Sequence, residues 1–158
     1  MNFKIVDYSS QYAKQISDIV MRNMTEILIK DYPVEEMQVK SLNFLPEKIE
    51  EYSLKRKIFV AVEDEIVVGT LGALRDEKGG ERDYLFLTIF VLPERHRRGI
   101  GQALMEKGEE YVRSLQGKKI TIPASITSHE FYFGLGYSYV DPAKKPDPDG
   151  FVIMTKEF

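Results

Sequence analysis

Arg95, His96, Arg97 and Arg98 run directly into Gly99-Ile100-Gly101, so three guanidinium groups and an imidazole precede a Gly-x-Gly step. Upstream lies the apolar run Tyr84 to Leu92, closed by Pro93. Downstream, Ile100, Leu104, Tyr111, Val112 and Leu115 mark one face of a helix. Strand, proline, basic turn and helix start together suit a polyphosphate. A helix start offers unpaired backbone N–H groups and the positive end of the dipole, glycine lets an anion approach the chain, and arginine adds bidentate donors. The lysine-bearing phosphate loop is missing, and Gly-x-Gly-x-x-Gly fails because Leu104 fills its last place. Nucleoside triphosphates and dinucleotides are therefore disfavoured. Tight packing would also explain the glycines, and a solvated turn the arginines, so spacing alone leaves both readings open.

Other chemistries find less support. Cysteine is absent, which removes thiolate nucleophiles, disulfides and thiolate metal sites. No Gly-x-Ser-x-Gly elbow exists, and His129-Glu130 lacks the His-Glu-x-x-His pattern of a helical zinc site, so no metal is expected. Glu81 and Asp83 read as solvated turn charges that could also act through a water. Tyr132 sits among Phe131, Phe133 and Tyr137, where a core role competes with a catalytic one.

These residues need a frame. Phe3 to Asp7 alternates as a short strand, and Ile16, Ile19, Val20, Met24, Ile27 and Leu28 then recur at three and four residues, predicting a helix that stops before Pro33. Pro33 suits the first turn of a second helix, and Pro46 opens a third through Ile49, Tyr52 and Leu54. Ile58–Val62 and Ile66–Leu74 predict a hairpin across Glu63-Asp64-Glu65, and Tyr84–Val91 a central strand covered on both faces. A helix from Ile100 to Gln116-Gly117, a strand over Lys119–Ala124, a short helix over Thr127–Leu135, and strands over Tyr137–Val140 and Phe151–Phe158 complete the order. Thr127 with Glu130 forms a capping-box pattern, and Gly136 suits a left-handed helix cap. The class is mixed α/β.

His96-Arg97-Arg98-Gly99-Ile100-Gly101 after Val91-Leu92-Pro93 resembles the acetyl-CoA motif of the GNAT N-acetyltransferases. Ala124-Ser125 with Phe131-Tyr132-Phe133-Gly134-Leu135-Gly136-Tyr137 resembles the second motif of that family, and the resemblance spans Tyr84 to Tyr137. It implies one domain over residues 1–158, with a mostly antiparallel sheet of six to seven strands flanked by helices and a splayed central strand pair. It also implies that the backbone of Phe90 and Val91 pairs with the pantetheine amides, and that Arg97, Arg98, Gly99, Ile100, Gly101 and Gln102 hold the pyrophosphate. His96 stands where the family usually has Gln or Arg, Ser125 where Asn is common, and Tyr132 where a tyrosine protonates the departing thiolate. Leu85 and Ile120 occupy positions where members can carry a Glu, so the general base is unassigned. Direct acetyl transfer from acetyl-CoA to a primary amine is the leading expectation. A CoA-binding module without turnover is the second.

A 158-residue chain that is 43% hydrophobic can bury a core unaided. The opening residues lack the apolar core of a signal peptide, and no run approaches the ~20 residues of a membrane span, so a cytoplasmic protein without membrane contact is expected. A net charge of −3 disfavours nucleic acid as a partner. Acetyl-CoA is the expected cosubstrate, with an unidentified amine as acceptor and a monomer or homodimer as the assembly.

Overall fold

The computed structural model describes residues 2–158. Its strands are β1 (Phe3–Asp7), β2 (Lys57–Glu63), β3 (Ile66–Arg75), β4 (Asp83–Val91), β5 (Lys119–Ala124), β6 (Ser138–Tyr139) and β7 (Val152–Glu157). The α-helices are α1 (Ala13–Arg22), α2 (Val34–Ser41), α3 (Pro46–Ser53), α4 (Ile100–Ser114) and α5 (His129–Gly134). The strands form one seven-stranded sheet in the order β1-β2-β3-β4-β5-β7-β6. Only β4 and β5 run parallel; all other neighbours are antiparallel.

Alternation along the strands sends side chains to two cores. Phe59, Leu71 and Phe86 meet Ile100, Leu104 and Val112 of α4 on one face, while Val60, Val62 and Val67 meet Ile16, Ile19 and Val20 of α1 and Ile49 of α3 on the other. Each such side chain contributes roughly 1.5–3 kcal/mol on burial. The β2–β3 hairpin turns on Asp64 and Glu65, both left-handed (φ 49° and 67°), which matches the twist of its strands.

Several sequence expectations need correction. Leu115 is half exposed because it caps the end of α4, and Met105 and Glu109 take buried places instead. Leu54 lies just past α3 and faces solvent. Pro33 is the N-cap of α2 rather than part of its first turn. Thr127 and Glu130 make no capping box, because α5 starts at His129 and Thr127 Oγ1 donates to Asp31 Oδ2 instead (2.7 Å). Gly136 does take the left-handed conformation, with φ 95°. The first helix also continues differently: after Arg22 it widens into a π turn over Asn23–Ile27 and tightens into a 3₁₀ turn over Leu28–Lys30.

The central strands meet only at Asp83–Leu85 against Lys119–Thr121 and then part. Two residues account for this. Thr88 of β4 is left-handed (φ 56°) where the β3–β4 register slips, a bulge that bends the strand. On β5, the Phe158 amide bonds to the Lys118 carbonyl, so strict alternation turns residue 123 toward β4. That residue is Pro123, which has no N–H to donate across the gap.

Candidate active site

The opening between β4 and β5 is lined by backbone as well as side chains. Leu92 N–H donates to the Val68 carbonyl (2.8 Å), so alternation points the Phe90 amide and carbonyl to β3 and those of Val91 into the gap. The expectation that both residues offer their backbone to a ligand is thereby corrected: the β3 ladder occupies Phe90. The Val91 carbonyl is itself engaged, since Asn23 Nδ2 and His96 Nε2 each donate to it at 2.9 Å. The Val91 N–H is left facing the gap. Asn23 is buried, and its amide also donates to the Ile19 carbonyl (2.9 Å), so the π turn of the first helix is tied directly to the end of β4.

Arg97 and Gly99 are both left-handed (φ 64° and 83°), and α4 begins at once after Gly99 without a side-chain cap. The first intrahelical bond runs from Ala103 N–H to the Gly99 carbonyl, so the amides of Ile100, Gly101 and Gln102 have no intrahelical partner. Alternating backbone of this kind forms a concave nest of N–H groups at the positive end of a 15-residue helix. Gly101 also packs: a Cβ there would lie 3.1 Å from Phe131 Cζ. Ile100 is buried in the core, and Gln102 bonds through its side chain to Glu106. Arg97 borders the cavity between β4 and β5, whereas Arg98 does not.

Tyr132 is buried in the core cluster and still borders the gap. Burial pushes its phenol well above the ordinary value, and a hydrogen bond from Ser128 offsets this only in part. Ser125 closes β5 and serves α5, its Oγ accepting from Ser128 N–H (3.1 Å) and sharing a 2.7 Å bond with Ser128 Oγ.

A single cavity of about 790 Å³ joins these groups to a second half under α2 and α3. That half is walled by Tyr32, Met37, Phe44, Tyr52 and Phe151. The Tyr32 hydroxyl donates to the Gly150 carbonyl (2.6 Å) and accepts from Ile126 N–H (2.9 Å), closing the helical segment against the 141–150 loop. The cationic walls are Lys40, Arg56, Arg95 and Arg97, and no Asp or Glu side chain lines the cavity among the described residues. Nor do three metal-ligating side chains gather anywhere among them.

The family model described as "Acetyltransferase (GNAT) family" matches residues 21–137, most of the chain. The chain belongs to the GNAT acetyltransferases. Its activity is acetyl transfer from acetyl-CoA to an amine, with the acceptor open. No curated protein sequence matches it. Solved structures share its fold at low identity. The PaiA N-acetyltransferase of Thermoplasma acidophilum, in complex with coenzyme A, superposes with a TM-score of 0.84 at 15% identity, covering 100% of both chains. A GNAT family acetyltransferase from Brucella melitensis, in complex with acetyl-CoA, gives 0.69 at 16%, covering 99% of this chain and 88% of its own. Aminoglycoside 6′-acetyltransferase type Ii gives 0.73 at 24%, covering 98% and 96%.

Within this GNAT frame, sequence reading overlooked Asn23, Arg56, Thr88 and Pro123. Asn23 had a signal: it lies four residues after Ile19 and three after Val20, a polar amide inside an apolar stripe. Pro123 had one as well, since a proline inside a strand marks an edge. Thr88 and Arg56 had none. Among the described residues, no helix of the GNAT chain is long and apolar enough to cross a membrane.

Proposed function

We propose that acetyl-CoA lies through the β4–β5 opening, with its pyrophosphate on the amides of Ile100, Gly101 and Gln102 and its thioester between Val91 and Tyr132. The observation that supports this placement is the continuous cavity, which joins the uncapped start of α4 to Tyr132 through a gap whose edges carry the Val91 N–H and Pro123. Arg97 adds charge to the phosphate end, and His96 acts by holding the Val91 carbonyl rather than by touching phosphate. Ser125 positions α5 through Ser128.

The neutral acceptor nitrogen attacks the thioester carbonyl carbon, and the Val91 N–H stabilises the negative charge that grows on its oxygen. The C–N bond forms, the C–S bond breaks, and CoA leaves as thiolate. With its pKa raised, the Tyr132 phenol is better suited to donating a hydrogen bond to the sulfur than to giving up its proton outright. The released ammonium proton goes to solvent, because no carboxylate lines the cavity. Deprotonating an amine of pKa ~10.4 costs about 4–5 kcal/mol at neutral pH, and desolvation among apolar walls lowers that cost by disfavouring the ammonium form.

Thiol release from acetyl-CoA in the presence of a panel of primary amines tests the proposal. Amine-dependent release that Tyr132→Phe suppresses is the expected result. Release that is independent of amine, or unchanged in Tyr132→Phe, would contradict it.

A further inference from the structure

Arg56 is a cation without a counter-ion in the acceptor half of the cavity. It is half-buried, its Nη1 donates to Thr88 Oγ1 (3.3 Å), and its guanidinium lies 4.2 Å from the centre of the Tyr52 ring. Its stem crosses the sheet at Gly72, where a Cβ would come within 3.5 Å of its Cδ. No Asp or Glu among the described residues lies within salt-bridge distance of it. Lys40, the other cation on that side, is matched by Glu36 (3.1 Å), and Arg95 of the basic turn by Glu63 (2.7 Å). Burial alone pulls its pKa below the ordinary value, and no nearby carboxylate raises it. A half-buried guanidinium without a carboxylate is unfavourable unless a ligand supplies the anion.

Resting on the acetyl-CoA placement above, we propose that the acceptor is a primary amine that also carries a carboxylate, an amino-acid-like molecule whose carboxylate pairs with Arg56. One unmatched guanidinium balances one negative charge, which favours a carboxylate over a doubly charged phosphate. Tyr32, Phe44, Tyr52 and Phe151 suit an apolar side chain on that molecule. Because the cavity carries cations and no carboxylate among the described residues, polyamines and aminoglycosides are poor acceptors. The carboxylate also points the amine: anchored at the β4 bulge, it leaves the nitrogen free to reach toward Val91 and Tyr132.

The test measures acetyl-CoA-dependent thiol release with L-phenylalanine and L-leucine, with the matching decarboxylated amines phenethylamine and isoamylamine, and with spermidine. The amino acids are expected to show kcat/KM about 10²-fold above the decarboxylated amines and spermidine, since an anchored charge pair is lost in the latter. Arg56→Ala is expected to remove that preference by lowering only the amino-acid values, with Arg56→Lys falling between. Both variants should keep the wild-type rise in Tm with CoA, which shows an intact fold and cosubstrate site. The proposal is overturned if neither amino acid is acetylated, if the decarboxylated amines or spermidine are used equally well, or if Arg56→Ala leaves the preference intact. Failure of the underlying placement reads differently: CoA would then produce no Tm rise in the wild type.

Discussion

Tyr132 joins two environments: its ring is held in the core against Tyr137 and Phe131, and the residue borders the gap. Removing only the hydroxyl should separate them. Tyr132→Phe is expected to keep the CoA-induced Tm rise and to lower kcat by about 10²-fold or more, the effect of losing a group that acts on the leaving atom. An equal loss of CoA binding and Tm would mark Tyr132 as structural alone. The raised pKa of this phenol also has a stability consequence. Its folded pKa lies above the ordinary 10.0, so its contribution is whole below about pH 10 and is lost as pH rises beyond that value. The fall of Tm between pH 10 and 11 should therefore be shallower in Tyr132→Phe than in the wild type. Parallel curves would contradict the burial argument.

Elements meet at the end of β4, where the π turn and the basic turn converge on the Val91 carbonyl. Asn23→Ala removes one of the two donors to Val91 and is expected to cost about 1–3 kcal/mol of stability and to raise KM for acetyl-CoA, as the strand edge loosens. Unchanged KM with lowered Tm would leave Asn23 a purely structural residue. This junction also shows where sequence was legible. The strands, α4 and the Gly99 turn follow from apolar spacing and from glycine, because local chemistry determines them. The capping box at Thr127 misled because Asp31, nearly a hundred residues away in the chain, competes for the same hydroxyl. Thr88 was hidden inside an apolar run, since a bulge at a β-branched residue reflects tertiary constraint and not local preference. Arg56 gave no sign because its meaning lies in the carboxylate that is missing around it.

Across the whole molecule, Glu109 links the two sides of the splayed sheet. It is buried on α4, accepts from the Tyr137 hydroxyl (2.9 Å) and pairs with Lys156 of β7 (3.0 Å). Glu109→Ala leaves the Tyr137 hydroxyl without its acceptor and Lys156 with only the Leu135 carbonyl, and should lower Tm by several degrees, at about 2–4 °C per kcal/mol for a chain of this size. A drop below 1 °C would show that the cluster does not secure β7 to α4. The arrangement serves the opening: α4 carries the phosphate-facing amides, and β5 with β7 forms the opposite wall.

The most direct test of the cosubstrate placement is a calorimetric titration of acetyl-CoA into the wild type and Gly99→Val. At φ 83°, a branched side chain would be strained and would crowd the amides that face phosphate. The wild type is expected to bind acetyl-CoA in the micromolar to low millimolar range, and Gly99→Val, still melting cooperatively, to show no measurable binding. Wild-type affinity in a folded Gly99→Val protein would contradict the placement of the pyrophosphate on this turn.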